Sequence, residues 1–492
     1  MTMLDHAQLL DEAGWSGRLF TGAWEPAAGG TLPVLEPASG EQLGVVGRAA
    51  PADVADAALK AGAAQPGWAA IRFDERAAVL RRAGDLVRRH RDEIGGWLIR
   101  ETGSTRGKAE FELDLCEQEC HEAAALCSQP YGSLLPTAMP GRLSLTRRVP
   151  VGVVGVITPW NAPLVLGARS VAPALALGNA VLLKPDPNSA VSGGVVFARL
   201  FEEAGLPPGV LHVLPGLADS GEALVADPQV RLVSFTGSTA AGRAVGVACA
   251  KLIKRALLEL GGNNAMIVLA DADIERAAAS GAFGSFQHQG QICMTTGRHI
   301  VHHSIVKEYV EALAERANRL TVGDPGCEDV QLGPLINDAQ LRRVQGIVSE
   351  SIDRGAQCVA GGSAEGLFYR PTVLTKLQPE TPAWAREVFG PVAPVMSFRT
   401  EEEAVALANA TEYGLSAGIH SADIERALEL GSRVHTGLLH INDQTVHDEA
   451  HAPLGGVGAS GTTRFGGAAA NCEAFTDTQW MTVGAPATTH SF

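Results

Sequence analysis

From residue 151 to residue 260, short apolar segments alternate regularly with helical ones, and this alternation restricts the fold more than any other feature. The pattern predicts buried strands at 151–158, 180–184, 210–214, 232–235 and 255–260, with helices at 164–177, 190–204, 220–226 and 240–251. Strands that alternate with helices need right-handed crossovers, which give a mostly parallel, doubly wound sheet in an α/β fold. Such sheets bind ligands at the carboxyl ends of their strands.

The segments on either side of this unit predict further structure. A second α/β unit follows residues 261–262, with strand candidates at 299–302, 372–375 and 438–441. Apolar spacing over 74–94 predicts one amphipathic helix. Residues 133–150 predict a hairpin and 476–483 a single strand, and we expect both to be exposed edges that pair between subunits.

Length and charge restrict the class of protein. A chain of 492 residues is long enough for two or three packed units. A net charge of -15 argues against nucleic-acid binding, which needs clustered basic residues. The N-terminal residues lack the pattern of a signal peptide, and no apolar stretch reaches the roughly 18–20 residues that a membrane span needs. We therefore expect a cytoplasmic protein with no membrane or nucleic-acid partner.

The eight cysteines do not indicate a disulfide framework in so long a chain. Cys116, Cys120 and His121 have helical spacing, but no second ligand pair accompanies them, so we expect no metal. Cys293 differs because it follows the polar, glycine-containing segment 286–292. A nucleophilic role requires the thiolate, so local N–H groups, positive charge or a bound nicotinamide must lower a pKa of about 8.5. An inert, packed cysteine is the alternative.

Two polar residues could serve such a nucleophile. Glu259 lies between two leucines at a strand end, which is a poor surface position and a plausible one for a general base. Asn161 closes the segment 158–161 after the first strand, where its amide could stabilise an oxyanion.

Two further features are compatible with a dinucleotide. Residues 235–239 join a strand to a helix whose N-terminus could receive a pyrophosphate, although a simple tight turn is equally compatible. Lys184 ends the second strand, where it could donate to a ribose or a 2′-phosphate, unless it is an ordinary surface lysine.

Six ordered segments together resemble the aldehyde dehydrogenase superfamily over essentially the whole chain: 158–161, 235–239, 259–263, 290–293, 387–391 and 453–456. The resemblance implies an NAD(P)-binding domain at 1–132 and 151–259 and a catalytic domain at 260–466. It also implies an oligomerisation arm at 133–150 and 467–492, in a homodimer or homotetramer that acts on a small-molecule aldehyde.

The resemblance also implies residue roles. Cys293 corresponds to the nucleophile, Glu259 to the base for the deacylating water and Asn161 to the oxyanion donor. The implied cofactor-binding residues are Thr158, Pro159, Trp160, Lys184, Asp186, Gly237, Ser238, Gly261, Glu387 and Phe389. Many members carry a glutamate three residues after the lysine, whereas this chain has Pro187 there, beside Asp186. We therefore expect NAD, with NADP possible.

Segments 184–187, 209–215, 440–444 and 458–461 look most like bacterial benzaldehyde dehydrogenases, with vanillin and salicylaldehyde dehydrogenases as close alternatives. Candidate substrate residues are Arg169, His288 and Asn442. For Arg169 two interpretations stay open, a substrate contact in the channel and a structural arginine that bridges helices.

Three rival functions remain at this point. In a CoA-acylating dehydrogenase CoA would take the acyl group, but such an enzyme needs no water-activating Glu259. A cysteine hydrolase could pair Cys293 with His288, but it needs no dinucleotide domain. A non-catalytic scaffold has no use for Cys293, Glu259 and Asn161 together.

Overall fold

The structure is a computed structural model that describes residues 8–484. Residues 1–7 of the N-terminal segment and residues 485–492 of the predicted arm lie outside the described residues. Between residues 8 and 484, no helix is long and apolar enough to cross a membrane.

Within the described range the strands are β1 (Arg18–Phe20), β2 (Trp24–Pro26), β3 (Thr31–Leu35), β4 (Gln42–Gly47), β5 (Gly132–Leu135), β6 (Leu143–Pro150), β7 (Val153–Ile157), β8 (Ala180–Lys184), β9 (Leu211–Val213), β10 (Val230–Thr236), β11 (Arg255–Glu259), β12 (Asn264–Val268), β13 (Thr296–His302), β14 (Gln357–Ala360), β15 (Ala364–Glu365), β16 (Phe368–Tyr369), β17 (Thr372–Thr375), β18 (Val392–Phe398), β19 (Ser416–His420), β20 (Leu438–Ile441) and β21 (Thr476–Val483).

The α-helices are α1 (Glu12–Trp15), α2 (Pro51–Ala70), α3 (Phe73–Arg89), α4 (Arg91–Thr102), α5 (Arg106–Leu126), α6 (Pro163–Ala176), α7 (Val196–Glu203), α8 (Ala218–Ala226), α9 (Thr239–Lys251), α10 (Ile274–Phe286), α11 (Val306–Arg319), α12 (Asp338–Asp353), α13 (Pro382–Ala385), α14 (Glu401–Asn409), α15 (Ile424–Gly431) and α16 (Ala468–Phe475). A π-helical turn, Val191–Val195, leads directly into α7.

The first large sheet has the strand order β11-β10-β7-β8-β9-β1-β2. Its five strands from β7 to β11 are parallel, which confirms the predicted doubly wound sheet. The short antiparallel strands β1 and β2 extend one edge and were not predicted. Because β7 lies between β8 and β10, the chain winds outward in both directions from it, and this reversal opens a crevice at the carboxyl ends of β7 and β10.

The second large sheet has the order β14-β17-β18-β13-β12-β19-β20. All neighbours are parallel except β14 and β17, so the predicted second α/β unit is present. Only β13, β17 and β20 among its seven strands were predicted. Apolar clusters cover both faces of each large sheet, as a parallel sheet requires.

A third sheet has the order β21-β6-β5. It contains the predicted hairpin, β5 and β6, and the predicted strand β21. Within this one chain β21 pairs antiparallel with β6, with Thr476 opposite Pro150. Pairing between subunits stays a prediction, and it would use the outer edges of β5 and β21.

The prediction of one helix over 74–94 is wrong. Helix α3 ends at Arg89, and α4 starts at Arg91 after a non-helical His90 with φ -104° and ψ 25°. The bend brings the Glu93 carboxylate to the backbone N–H groups of Leu9 and Leu10, at 2.9 and 2.7 Å. Apolar periodicity continues across the bend, so the pattern does not reveal it.

Candidate active site

A cleft of about 160 Å³ lies where the carboxyl ends of β7, β10 and β11 in the first large sheet face the amino ends of β12, β13 and β18 in the second. It brings together side chains that the sequence separates by more than 200 positions. The predicted residues that line it are Pro159, Trp160, Asn161, Gly237, Ser238, Glu259, Gly261, Cys293, Glu387 and Phe389. Trp160 and Phe389 meet edge to face, with ring centroids 5.6 Å apart.

A second cavity, of about 680 Å³, adjoins this cleft between α8 and α9. Thr158, Lys184 and Asp186 line it, and its apolar wall includes Val225 and Leu252. The two cavities share several lining residues, namely Pro159, Trp160, Thr236, Gly237 and Ser238. An elongated ligand could therefore extend from one cavity into the other.

The loop before Cys293 has an unusual backbone. His288, Gln289 and Gly290 all have positive φ, of 49°, 57° and 65°. A Cβ atom at Gly290 would lie 2.1 Å from the carbonyl oxygen of Gly390, so only glycine allows this close approach. The loop thereby packs directly against the 387–391 segment that carries Glu387.

Asn264 anchors the other side of the same loop. Its Nδ2 donates to the carbonyl oxygens of Cys293 and Thr295, at 2.8 Å each. Its Oδ1 accepts the N–H of Ser416 at 2.9 Å. The sequence interpretation missed Asn264, although an amide at the start of a buried apolar strand is a signal that could have indicated it.

The environment of Cys293 disfavours the thiolate in the protein alone. Burial and then the charges of Glu259, Glu387 and Asp448 raise the pKa of the Cys293 thiol to about 12, while the N–H of Met294 acts in the opposite direction. The expected lowering of this pKa is therefore not produced by the side chains around the thiol. A cationic group placed in the cleft would lower it.

Glu259 is 5% exposed, and its Oε1 has no hydrogen-bond partner among the described residues. Burial raises the pKa of Glu259 well above its usual value, against the opposing charges of Arg464 and Arg169. A Cβ atom at Gly455 would lie 2.8 Å from this Oε1, so the 453–456 segment leaves room for the carboxylate. A buried carboxyl group without a partner and with a raised pKa suits proton transfer near neutral pH.

The larger cavity presents donors that a dinucleotide could use. Thr158 Oγ1 is buried and has no hydrogen-bond partner in the described part of the chain. Ser238 caps α9, accepting the N–H of Ala241 at 3.4 Å, and Lys184 Nζ donates to the Pro185 carbonyl oxygen at 3.3 Å. In the smaller cleft Glu387 accepts the N–H of Gly262 at 3.0 Å. A helix N-terminus, a lysine and a hydroxyl along one cavity fit phosphate and ribose groups.

The three candidate substrate residues line neither cavity. Arg169, only 2% exposed, forms ion pairs with Glu119 and Asp448 at 2.8 Å each. Glu119 lies on α5 and Arg169 on α6, so the structure favours the arginine that bridges helices. Asn442 instead accepts the N–H of Ser421 at 3.0 Å.

His288 is 1% exposed, and neither ring nitrogen has a hydrogen-bond partner among residues 8–484. Burial and the nearby Lys108 charge lower its pKa well below the usual value, so the imidazole is neutral. It forms no hydrogen bond with Cys293, which counts against a cysteine hydrolase.

Cys116 and Cys120 are buried on α5, and a hydrogen bond with Cys120, followed by burial, raises the pKa of the Cys116 thiol. The described residues contain no group of three or more histidine, cysteine or carboxylate side chains placed to hold a metal ion.

Comparison with known proteins places this architecture in one family. The sequence pattern of the aldehyde dehydrogenase family matches residues 24–481. The chain belongs to the aldehyde dehydrogenase family and is an oxidoreductase that acts on aldehydes with NAD(P).

Individual relatives are similar over nearly their full length. A vanillin dehydrogenase from an Amycolatopsis species is 61% identical over 475 residues, which cover 96% of this chain and 98% of that protein. A benzaldehyde dehydrogenase [NAD(+)] from Pseudomonas putida is 49% identical over 470 residues, which cover 95% and 96%. The crystal structure of a salicylaldehyde dehydrogenase from Pseudomonas putida G7, complexed with salicylaldehyde, has a TM-score of 0.94 at 35% identity and covers 97% of this chain and 99% of that one.

The raised pKa of Cys293 gives a direct prediction. In protein without cofactor, alkylation of Cys293 by iodoacetamide should be slow at pH 7 and accelerate about tenfold per pH unit up to at least pH 9, because the thiolate fraction grows at that rate below the pKa. Peptide mass spectrometry of a digest can follow Cys293 separately from the exposed Cys327. A rate that levels off below pH 8 would show that the thiol is already ionised near neutrality.

Proposed function

We propose that this chain oxidises an aromatic aldehyde to its carboxylic acid with NAD, through a thioester on Cys293. The observation that carries the proposal is that Cys293, Asn161 and Glu259 line one cleft, with Glu259 Oε1 lacking a hydrogen-bond partner among residues 8–484. The names of the relatives support an aromatic substrate, since vanillin, benzaldehyde and salicylaldehyde are all aromatic aldehydes.

Each residue has a separate part in the reaction. The Cys293 thiolate attacks the aldehyde carbon, and the Asn161 amide donates to the oxyanion that forms. Bound NAD would supply the hydride acceptor for this carbon, and loss of the hydride would leave a thioester on Cys293. Glu259 then takes a proton from water as the water attacks the thioester, and the acid leaves as the thiolate is restored.

The resemblance to the family and the shape of the larger cavity support the cofactor assignment. Lys184 and Ser238 would hold the adenosine ribose and the pyrophosphate. Glu387 would hold the second ribose, with Phe389 packed beside it. We assign residues 151–259, with the N-terminal part, to cofactor binding and residues 260–466 to catalysis. The third sheet then serves as the arm of a homodimer or homotetramer.

Apolar side chains beside the nucleophile support the aromatic substrate. Cys293 and Ile292 pack against the cluster of Met294, Leu415 and Leu454. Leu166, on α6, lines the cleft itself and packs against a second small apolar cluster. A ring placed there would lose its contact with water, which favours its binding.

Glu259→Gln should retain the first hydride transfer but lose turnover, because only thioester hydrolysis needs the base. Stopped-flow absorbance should show a burst of NADH close to one per active site, followed by a steady state at least about a hundredfold slower than wild type. Cys293→Ala is the control, with neither phase but with NAD binding intact. If the burst disappears along with turnover in Glu259→Gln, Glu259 acts before hydride transfer.

Benzaldehyde should be a better substrate than acetaldehyde by roughly 30–150-fold in kcat/KM. Burial of a phenyl ring contributes roughly 2–3 kcal/mol to transition-state binding. Each tenfold change in kcat/KM corresponds to about 1.4 kcal/mol. Initial rates with benzaldehyde, vanillin, salicylaldehyde and acetaldehyde measure the preference. Equal efficiency with acetaldehyde would refute the aromatic assignment and leave the dehydrogenase chemistry intact.

NAD should be preferred over NADP, but modestly. Pro187 replaces a carboxylate that would repel a 2′-phosphate, whereas Asp186 still lines the cavity and accepts the N–H of Asn188 at 2.9 Å. Burial raises the pKa of Asp186, which weakens its repulsion of a phosphate. In Asp186→Ala, kcat/KM with NADP should come closer to kcat/KM with NAD. If the ratio of kcat/KM with NAD to kcat/KM with NADP is unchanged in that variant, Asp186 does not contribute to the cofactor preference.

A further inference from the structure

Helix α5 carries a buried ion pair that the sequence interpretation did not include. Lys108 and Glu112 lie one helical turn apart and are 4% and 0% exposed. The Lys108 ammonium donates to the carbonyl oxygen of Asn161 at 2.7 Å. The Glu112 carboxylate accepts the backbone N–H groups of Leu164 at 3.0 Å and Val165 at 3.3 Å.

These contacts hold the backbone that directly follows the Asn161 side chain. Lys108 fixes the peptide group between Asn161 and Ala162. Glu112 fixes the first turn of α6, which begins two residues after Asn161. The intervening residues, Ala162 and Pro163, have little freedom left between the two anchors. An oxyanion donor must be held to within about half an ångström of its productive position.

Stability alone does not account for a charged pair at this position. A buried ion pair is commonly no more stabilising than apolar side chains of similar volume, because both charges lose their hydration. The pair also lies beside the nucleophile loop, since the Lys108 charge contributes to the lowered pKa of His288. Lys108 is therefore close to both segments that supply the reacting groups.

We propose that Lys108 and Glu112 are positioning residues that set the Asn161 amide in its oxyanion-binding orientation. This inference rests on the function proposed for Asn161. Neither side chain touches the substrate, and both act through the backbone of residues 161–165.

Three variants distinguish an effect on the position of the Asn161 amide, measured as kcat, from an effect on protein stability, measured as Tm. Lys108→Met and Glu112→Gln each leave one buried charge unpaired, so each should lower the Tm. The double variant removes both charges and retains an amide oxygen to cap α6, so its Tm should recover most of the loss. Its kcat for benzaldehyde should nevertheless stay at least about tenfold below wild type, with the Kd for NAD unchanged. Glu110→Gln, which removes an exposed ion pair on the same helix, is the matched control and should leave kcat and Tm as in wild type.

A cycle with Asn161→Ala tests whether the pair acts through Asn161. Removal of an oxyanion donor lowers kcat by roughly 100–1000-fold, and the double variant should add no further loss in the Asn161→Ala background. A double variant with wild-type kcat, or losses that multiply with those of Asn161→Ala, would overturn the positioning role. If Asn161→Ala itself keeps wild-type kcat, the oxyanion assignment of the proposed function fails instead. All rates are measured well below the Tm of each variant.

Discussion

The site depends on a close approach of backbone at residues 261 and 262, where the first sheet passes into the second. A Cβ atom at Gly261 would lie 2.5 Å from both carboxylate oxygens of Glu387. A Cβ atom at Gly262 would lie 2.7 Å from the carbonyl oxygen of Cys293. A side chain at Gly262 would push the backbone of the nucleophile loop away from β11, and one at Gly261 would displace the Glu387 carboxylate, so the two glycines allow this close approach.

This narrow junction also determines the electrostatics. Because the cleft is closed on several sides, Glu259 is buried and Glu387 is partly buried, and the pKa values of both carboxyl groups are raised. The same burial and the carboxylates together raise the pKa of Cys293. The protein therefore holds Glu259, Glu387 and the Cys293 thiol in their neutral forms more readily than water would. Nucleophilicity at neutral pH then depends on positive charge that arrives with a ligand.

Much of this could be predicted from the sequence, because the relevant signals are local. The parallel sheet follows from apolar runs such as 180–184, whose predicted bounds coincide with those of β8. The ordered motifs predicted that Asn161, Glu259 and Cys293 lie in one site, and all three line the same cleft. Their catalytic roles stay predictions. The bend at His90 and the contacts of Lys108, Glu112 and Asn264 were missed. Their partners lie more than 25 positions away in the sequence, so a local pattern cannot identify those partners even where, as for Asn264, it marks the residue.

The two sides of the cleft around Cys293 differ in how they are built. Toward Asn161 and the glycine junction, hydrogen bonds and closely packed backbone hold the chain in place. Toward Leu166 and Ile292, the wall consists of aliphatic side chains packed against one another. Aliphatic residues can exchange for others of similar volume at small cost. Substitutions among these aliphatic residues would therefore change the shape of the cleft on that side without displacing the backbone that carries Asn161, Glu259 and Cys293.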